Sequence, residues 1–377
     1  MSGPLHGLRV IEIAGVGPGP HCAMMLADLG ADVVRIDSPV AREGYGMPVV
    51  QRGRRRVVLD LKTAPGREEL LGLVAHADVL IESHRPGVAE RLGIGPDDCL
   101  ARNERLVYGR MTGWGQTGPW ASMAGHDITY IAVTGVLHAV GRAGQPPVPP
   151  MNLLGDFGGG SMYLLAGVLA ALWERDRSGR GQVVDASIID GTANLAAMIM
   201  GMRAGGSWTD VRGVNSLDSG APFYDVYETA DGKWLAVGAL EYPFFAELAR
   251  VLGLDPPDDH RDPATWDRLR VDIAARVRTR TRDDWAEAFA GTDGCAAPVL
   301  TFAEAAAHPQ MVARGALVER DGVLQPAPAP RFSRTSNGEP GRAVPETAQS
   351  GEVLAGWRAG EGRAGAGRGV APGVASP

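Results

Sequence analysis

The chain has 377 residues, a formal net charge of −7 and a hydrophobic content of 45%. This length exceeds what one hydrophobic core usually serves, so we expect two globular domains. The negative charge argues against a nucleic-acid-binding surface. Three widely spaced cysteines, no apolar run of membrane length and no secretory signal pattern predict a cytoplasmic protein with reduced thiols.

The first 110 residues alternate short β-branched runs with helical segments. Buried strands joined by helical crossovers predict an α/β fold, in which a doubly wound, mostly parallel, Rossmann-like sheet carries helices on both faces. We expect strands at 8–14, 32–37, 57–62, 77–83 and 105–111, and helices at 21–30 and 66–76.

The second half of the chain is predicted to complete the large domain and then to form a smaller α+β domain. Apolar helices are expected at 162–175 and 190–202, and the polar, glycine-rich stretch 201–220 predicts a linker. Alternation across 223–239 predicts a hairpin with a type I′ turn at Asp231 and Gly232. Helices are predicted to follow at 243–252 and 264–278.

These features predict the domain organisation. We expect a large domain at 1–200 that is completed by 315–357, a linker at 201–220 and a small domain at 221–314. The last segment, 358–377, has no apolar periodicity and little to bury, so we expect a disordered tail.

The glycine loop at 14–20 lies where a dinucleotide fingerprint would be found, between the first strand and the first helix. Its third glycine position is Pro20, which does not meet the spacing that a nicotinamide site requires. We therefore expect no redox cofactor at this loop.

Arginines cluster before the third strand, at Arg52, Arg54, Arg55 and Arg56. Such a run is usually a solvated edge. Arg85 follows the next strand on the rim where open α/β sheets bind ligands, and with Arg91 it adds two cations there. The pattern favours a site for an anionic small ligand.

Two polar, glycine-flanked segments contain an imidazole and a carboxylate, His126 in AGHDITY and Asp156 in LLGDFGGGSMY. Taken singly, His126 is typical of a packed or surface histidine and Asp156 of a helix cap, and Glu241 is typical of a helix N-terminal acid. If His126 and Asp156 share a pocket, they supply two bases of different type, as proton transfer at an unactivated carbon requires.

Ordered motifs from LRVIEIAGVGPGP through LGADVVRID, YGRMTGWGQTGP, AGHDITY and LLGDFGGGSM to APRFSRT span about residues 3–357. In them the chain resembles the family III CoA-transferase superfamily and, within it, the α-methylacyl-CoA racemases. Asp156 matches an aspartate that the transferases use as a nucleophile. The histidine at 126 matches the racemases, because transferases more usually have an aromatic residue there.

The resemblance implies a racemase or epimerase that acts on 2-methylacyl-CoA thioesters by 1,1-proton transfer through an enolate. It needs no metal and no separate cofactor, because CoA enters as part of the substrate. His126 and Asp156 would be the acid/base pair, and Glu241, or Asp127 as second candidate, would orient the imidazole. Amides of the DFGGG segment would stabilise the enolate oxygen.

The resemblance also implies an interlocked homodimer, in which the small domain packs over the partner's active site, and it implies where CoA lies. By matching position, the residues expected to contact CoA or its thioester are Leu59, Asp60, Leu61, Lys62, Ser83, His84, Arg85, Arg91, Gly125, Ile128, Thr129 and Tyr130. Racemases often have an arginine where this chain has Ser38, so Arg42 or Arg52 is expected to compensate.

Two other functions remain open at this point. The first is a family III CoA-transferase that moves CoA between carboxylic acids with Asp156 as nucleophile. The second is a CoA-binding protein without activity, which the presence of both candidate bases does not favour. No nucleic-acid or membrane partner is expected.

Overall fold

The computed structural model describes residues 3–40, 48–343 and 345–366. The strands are Arg9–Ile13 (β1), Asp32–Asp37 (β2), Arg54–Val58 (β3), Val79–Glu82 (β4), Val107–Thr112 (β5), Val183–Ser187 (β6), Tyr224–Glu228 (β7), Trp234–Gly238 (β8), Ala296–Pro298 (β9), Leu317–Arg320 (β10), Val323–Pro326 (β11) and Glu346–Thr347 (β12).

The α-helices alternate with these strands. They are Pro18–Asp28 (α1), Ala64–Val74 (α2), Val88–Arg91 (α3), Pro96–Arg102 (α4), Asp127–Val133 (α5), Val136–Ala139 (α6), Met162–Ser178 (α7), Ile188–Leu195 (α8), Ala197–Ala204 (α9), Tyr242–Leu252 (α10), Trp266–Val277 (α11), Arg282–Phe289 (α12), Phe302–Ala307 (α13), Pro309–Arg314 (α14) and Ser350–Ala366 (α15). A π-helix, Leu153–Ser161, leads directly into α7.

The chain divides into two compact units. The larger comprises 1–131, 152–195 and 315–377, and the smaller comprises 132–151 and 196–314. The prediction had assigned 132–151 to the large domain and had placed the boundary at 201–220. The observed units differ because α9 and the loop after it pack with the smaller unit.

A parallel sheet organises the larger unit. Within the described residues its strand order is β12-β3-β2-β1-β4-β5-β6, and every neighbouring pair is parallel. Successive residues of β1 point to opposite faces: Val10 packs with α1 and α7, whereas Ile11 packs with α2 and α15. This is the doubly wound α/β fold that the alternating sequence pattern predicted.

The third strand begins and ends earlier than the prediction of 57–62, at Arg54 and Val58. Three consecutive arginines are accommodated in this strand because each has a carboxylate partner: Arg55 pairs with Asp32 and Arg56 with Asp37 of the neighbouring β2, and Arg54 reaches Glu12 of β1. Residues 59–62 therefore form the loop after the strand.

The smaller unit contains an antiparallel sheet of order β7-β8-β9, with α10, α11 and α12 packed in one core around Phe223 and Trp285. The predicted hairpin is confirmed, but its turn is not of type I′. The amide of Thr229 bonds to the carbonyl of Lys233, and Gly232 has a φ of 71° whereas Asp231 does not have a positive φ. This is a three-residue loop with glycine in the left-handed position.

The predicted linker is an ordered part of the smaller unit. The single helix expected at 190–202 is divided at Ala196 into α8 and α9. In the following loop, the side-chain amide of Asn215 donates to the backbone carbonyls of Thr209 and Val211 and to the carboxylate of Asp218. These hydrogen bonds give a polar, glycine-rich stretch a fixed conformation.

The C-terminal segment continues as helix beyond the expected boundary of 357. α15 runs to Ala366, and Val353 and Trp357 anchor its first half in the core. The expectation of disorder from 358 is therefore corrected for 358–366, because an anchored helix propagates along the chain. Residues 367–377 lie outside the described residues.

The π-helix and α7 together, Leu153–Ser178, are long and apolar enough by length and composition to cross a membrane. Leu164, Leu165 and Val168 of this stretch are buried against the sheet. A core helix of a globular domain shows the same pattern, and we interpret the stretch in that way.

Candidate active site

The carboxyl ends of the parallel strands form one edge of the larger unit. The strand order reverses between β1 and β4, and ligands of open α/β sheets bind outside such a reversal. The loop after β1, with Gly17, and the loop after β4, with Ser83, His84 and Arg85, lie there. The 59–62 loop after β3 lies on the same edge.

His126 immediately precedes α5 and is exposed. Its carbonyl accepts hydrogen bonds from the amides of Thr129 and Tyr130 at 2.8 and 3.2 Å, and its own amide donates to Thr129 Oγ1 at 2.9 Å. The backbone of His126 is thus held, while the imidazole makes no hydrogen bond to the described residues. Its segment is a helix start, and Asp127, Ile128, Thr129 and Tyr130 form the first turn of α5.

Asp127 is buried, and its carboxylate contacts the backbone of Asp156 and not the imidazole of His126. Asp127 Oδ2 accepts the amide of Asp156 at 2.7 Å, and among the described residues Oδ1 has no hydrogen-bond partner. Asp127 therefore joins the two motifs through the backbone of Asp156 and does not orient the imidazole of His126.

Asp156 lies in the first half of the π-helix and is half-buried. Burial raises the pKa of its carboxyl group and Asp127 raises it further, whereas Asn152 and the charge of His126 lower it. Asn152 Nδ2 donates to Asp156 Oδ2 at 3.3 Å. His126 and Asp156 are thus close enough to interact electrostatically, and the carboxyl group is shifted toward the range of a useful proton carrier.

Gly17, which the sequence reasoning did not single out, lies against Asp156. It has a φ of 71°, and a Cβ atom built on it would lie 3.2 Å from Asp156 Oδ2. A side chain at this position would crowd the carboxyl group as well as strain the backbone. The signal available in the sequence was the glycine loop between β1 and α1.

Two glycines after Asp156 allow close packing of the π-helix against its neighbours. A Cβ atom on Gly159 would lie 2.4 Å from Thr192 Oγ1, and one on Gly160 would lie 3.0 Å from Pro18 Cβ. The amide of Met162 bonds to the carbonyl of Phe157, which is the π-helical spacing. The amide of Asp156 is bound by Asp127, and a role of the remaining DFGGG amides at the enolate oxygen stays a prediction.

Tyr130 occupies a slot between two glycines. Cβ atoms on Gly113 and Gly125 would lie 2.0 and 2.5 Å from Tyr130 Cε1, and Trp114 packs edge-on at 4.7 Å between ring centroids. Burial raises the pKa of Tyr130, Asp156 raises it further and Arg85 opposes this. Asp156, Tyr130 and Arg85 therefore share one electrostatic environment. The sequence did not reveal Trp114.

Some side chains after β4 face the protein and others face solvent. Ser83 faces the β1–α1 loop, because Cβ atoms on Gly15 and Gly19 would lie 3.1 and 2.2 Å from its side chain. The amide of His84 donates to Glu82 Oε2 at 2.6 Å, and burial lowers the pKa of His84. Arg85 and Arg91 are exposed and remain candidates for phosphate contacts.

The arginine cluster is not an anion site. Arg52 is 1% exposed and forms a two-bond pair with Asp28, at 3.0 and 2.5 Å, and also bonds to Gln325 at 2.9 Å. Burial in these contacts leaves its guanidinium no access to a phosphate, so the predicted contact of Arg52 with CoA is wrong. The three arginines of β3 are likewise paired with carboxylates, those of Glu12, Asp32 and Asp37.

The 59–62 loop is partly exposed. Leu59 is buried in the core, Leu61 packs partly against it, and Asp60 and Lys62 are exposed. The amide of Lys62 donates to Asp60 Oδ1 at 3.1 Å. Ser38 is exposed at the end of β2, whereas Arg42, which was expected to compensate for it, lies outside the described residues.

Glu241 belongs to the smaller unit, where it occupies the N-terminal cap of α10. It is exposed, and its side chain makes no capping hydrogen bond. Its predicted role in orienting His126 stays a prediction.

A cavity of about 990 Å³ lies within the smaller unit. Arginines 142, 261 and 270 and the rings of Phe223 and Trp266 line it. None of the predicted catalytic residues contributes to this cavity. We therefore assign the candidate site by the chemistry at the sheet edge.

The family model for CoA-transferase family III matches residues 5–350 of the chain. The α-methylacyl-CoA racemases of Mus musculus and Homo sapiens are 45% and 43% identical to it, each across 88% of this chain and 87% of the relative. The crystal structure of a CAIB/BAIF family protein from Brucella suis matches with a TM-score of 0.77 at 28% identity, covering 95% of this chain and 99% of that one. The chain belongs to CoA-transferase family III.

Proposed function

We propose that the chain is an isomerase that interconverts the (2R) and (2S) forms of 2-methylacyl-CoA thioesters. The observation that carries the proposal is the pairing of His126 with Asp156, which interact electrostatically at the carboxyl edge of the sheet. The identity of 45% to a racemase across most of the chain supports the same reaction.

The proposed chemistry is a 1,1-proton transfer. The thioester acidifies the α-carbon, one base removes its proton to leave an enolate, and the conjugate acid of the other base returns a proton on the opposite face. The raised pKa of Asp156 brings the carboxyl group closer to the working range of an imidazole. His126 serves one enantiomer as base and Asp156 serves the other.

We further propose that the substrate's CoA lies along the sheet edge, with Arg85, Arg91 and Lys62 near its phosphates. The reaction needs no metal and no redox cofactor, since proton transfer changes no oxidation state. The protein is proposed to act as a cytoplasmic homodimer.

The test is to incubate a single enantiomer of a 2-methylacyl-CoA in deuterated water. We expect loss of optical purity together with uptake of one α-deuterium, measured by chiral chromatography and mass spectrometry. His126→Ala and Asp156→Ala are expected to abolish both. His6→Ala and Asp176→Ala, which replace exposed residues of the same types, serve as controls and keep the activity.

A CoA-transferase is the second candidate, because the family is named for that reaction and Asp156 also fits a nucleophile. It predicts movement of CoA to a labelled free carboxylic acid without α-deuterium uptake. That result would contradict the racemase, and ligand binding without either activity would contradict both enzymes.

A further inference from the structure

The first turn of α1 lies along the π-helix that contains Asp156. At one end, a Cβ atom on Gly17 would lie 3.2 Å from Asp156 Oδ2. At the other end, one on Gly160 would lie 3.0 Å from Pro18 Cβ. The two elements therefore touch along the length of the segment that determines where the Asp156 carboxyl group points.

His21 lies at this contact. Its Nδ1 is 2.7 Å from Ser161 Oγ, and its ring is 4.6 Å from the ring of Phe157, measured between centroids. Ser161 is fully buried at the last position of the π-helix, and Phe157 directly follows Asp156. One imidazole thus contacts both sides of the glycine segment.

The turn that carries His21 is attached to the sheet. The guanidinium of Arg54 donates to the carbonyl of Pro20, the residue before His21. Arg54 Nε also lies 2.5 Å from Glu12 Oε2, and both side chains are buried. A continuous polar path therefore runs from β1 and β3 through the first turn of α1 to the π-helix.

We propose that His21 is a positioning residue, which holds the π-helix in the register that presents Asp156 to the substrate and acts through Ser161 and Phe157. The inference rests on the proposed function, in which Asp156 is one of the two bases. A π-helix is a rare conformation that occurs mostly at functional sites. Relaxation to α-helical spacing would turn Asp156 by about one residue, on the order of 100°, around the helix axis.

Burial, with help from two nearby cations, keeps His21 neutral. Burial, and then the cations Arg52 and Arg54, lower the pKa of His21 to about 4. A group whose folded pKa is lowered in this way stays uncharged at every pH above that value. The contact between His21 and Ser161 is therefore the same across the neutral range, and no ionisation of His21 is expected in the pH profile of the enzyme.

The test uses His21→Phe, which keeps a ring against Phe157 but leaves the buried hydroxyl of Ser161 unpaired. We expect its kcat for α-proton exchange to fall by roughly tenfold to 100-fold, because small misplacements of a reacting group have effects of this size. KM for the CoA thioester is expected to stay within about twofold, since CoA contacts are not altered.

A second variant distinguishes the hydrogen bond from the bulk of the side chain. In His21→Phe combined with Ser161→Ala both polar partners are absent, so we expect most of the lost kcat to return. The two substitutions are then strongly non-additive. Additive losses, or no loss in His21→Phe, would overturn the proposal.

A measurement at Asp156 itself tests the role of His21 independently of the proposed reaction. The pKa of the Asp156 carboxyl group is measured by ¹³C NMR of aspartate-labelled protein, with Asp156→Asn for assignment. In His21→Phe it is expected to move down toward its ordinary value, as the group leaves its half-buried position. If the unaltered enzyme exchanges no α-proton, the proposed function fails while this measurement still decides the role of His21.

Cys22→Ala is the matched control on the same helix. Cys22 directly follows His21, but it is buried in the apolar core against the sheet and no hydrogen bond joins its side chain to the described residues of the π-helix. We expect this variant to lose stability but to keep kcat and the pKa of Asp156. An equal loss of kcat in Cys22→Ala would show that general destabilisation of α1, and not His21, accounts for the effect.

Discussion

Among single residues, Asp156 has a half-buried carboxyl group, and this burial has a cost in stability. The same burial that raises the pKa of Asp156 also disfavours its charged form in the folded protein. A group with a raised folded pKa stabilises the fold when protonated, and that contribution is lost as the pH rises through the folded value. At neutral pH the ionised carboxyl group therefore opposes folding.

Asp156→Asn is expected to unfold at a higher temperature than the unaltered protein at pH 7, because it removes the half-buried charge. The difference is expected to shrink toward pH 4, near the model-peptide pKa of about 3.9. Scanning calorimetry at the two pH values measures it. An exposed control, Asp176→Asn, should show little change, and a gain that does not depend on pH would argue against the electrostatic cause.

At the same scale, His126 was predicted from its motif, whereas its surroundings became visible only in the structure. The predicted partner Asp127 bonds to the backbone of Asp156 instead, at 2.7 Å. Two neighbouring residues of one helix start thus have separate tasks. Residue type and motif predicted His126 and Asp156, whereas the direction of the Asp127 carboxylate depends on a residue 29 positions away.

At the scale of elements, Arg52 connects α1 to β11 through Asp28 and Gln325. Arg52→Met would leave Asp28 buried without its partner, and we expect the free energy of unfolding to fall by about 3–5 kcal/mol. Urea denaturation measures this loss. KM for a CoA thioester is expected not to change.

The matched control for Arg52 removes both charges. The double variant Arg52→Met with Asp28→Leu is expected to regain much of the stability, since no unpaired charge remains. If Arg52→Met raised KM several-fold without loss of stability, the arginine would belong to the CoA site after all.

The glycines of the π-helix allow a second test at this scale. Gly159→Ala would place a methyl group 2.4 Å from Thr192 Oγ1 and 2.7 Å from its amide nitrogen in α8. We expect a loss of about 1–3 kcal/mol in unfolding free energy, because the backbone of α8 must shift. The control is Gly72→Ala in α2, where the added Cβ meets no atom within 4 Å. It should stabilise by about 0.4–1 kcal/mol, and equal effects at the two sites would contradict the packing argument.

For the whole molecule, the interlocked dimer and the role of Glu241 can be tested together. If the small domain packs over the partner's site, Glu241 acts on the His126 of the partner subunit. Co-expression of His126→Ala with Glu241→Ala, each inactive alone, is then expected to restore about a quarter of the activity. Half of the random dimers are mixed, and each mixed dimer has one intact site.

The restored activity is measured by α-deuterium uptake, and the dimer mass by light scattering against a chain mass of 39.6 kDa. The control is the Glu241→Ala variant expressed alone, whose homodimers should stay inactive. No restoration in a confirmed mixed dimer would mean that Glu241 does not act across the subunits.

The sequence alone was sufficient for the parallel sheet, its alternating helices and the hairpin of the smaller unit. These follow from local periodicity and turn residues, which depend on neighbours in the chain. It was also sufficient for the family, since many ordered motifs occur at the family spacing. The same motifs predicted His126 and Asp156 as the acid/base pair.

Only the tertiary structure decided which partners the charged and glycine residues have. The arginines of β3 looked like an anion site until strand pairing brought Glu12, Asp32 and Asp37 beside them. The glycine segment after Asp156 was expected to offer amides to the enolate oxygen, and the structure shows a π-helix whose glycines pack closely against α1 and α8. Such contacts join residues far apart in the chain, so local sequence cannot specify them.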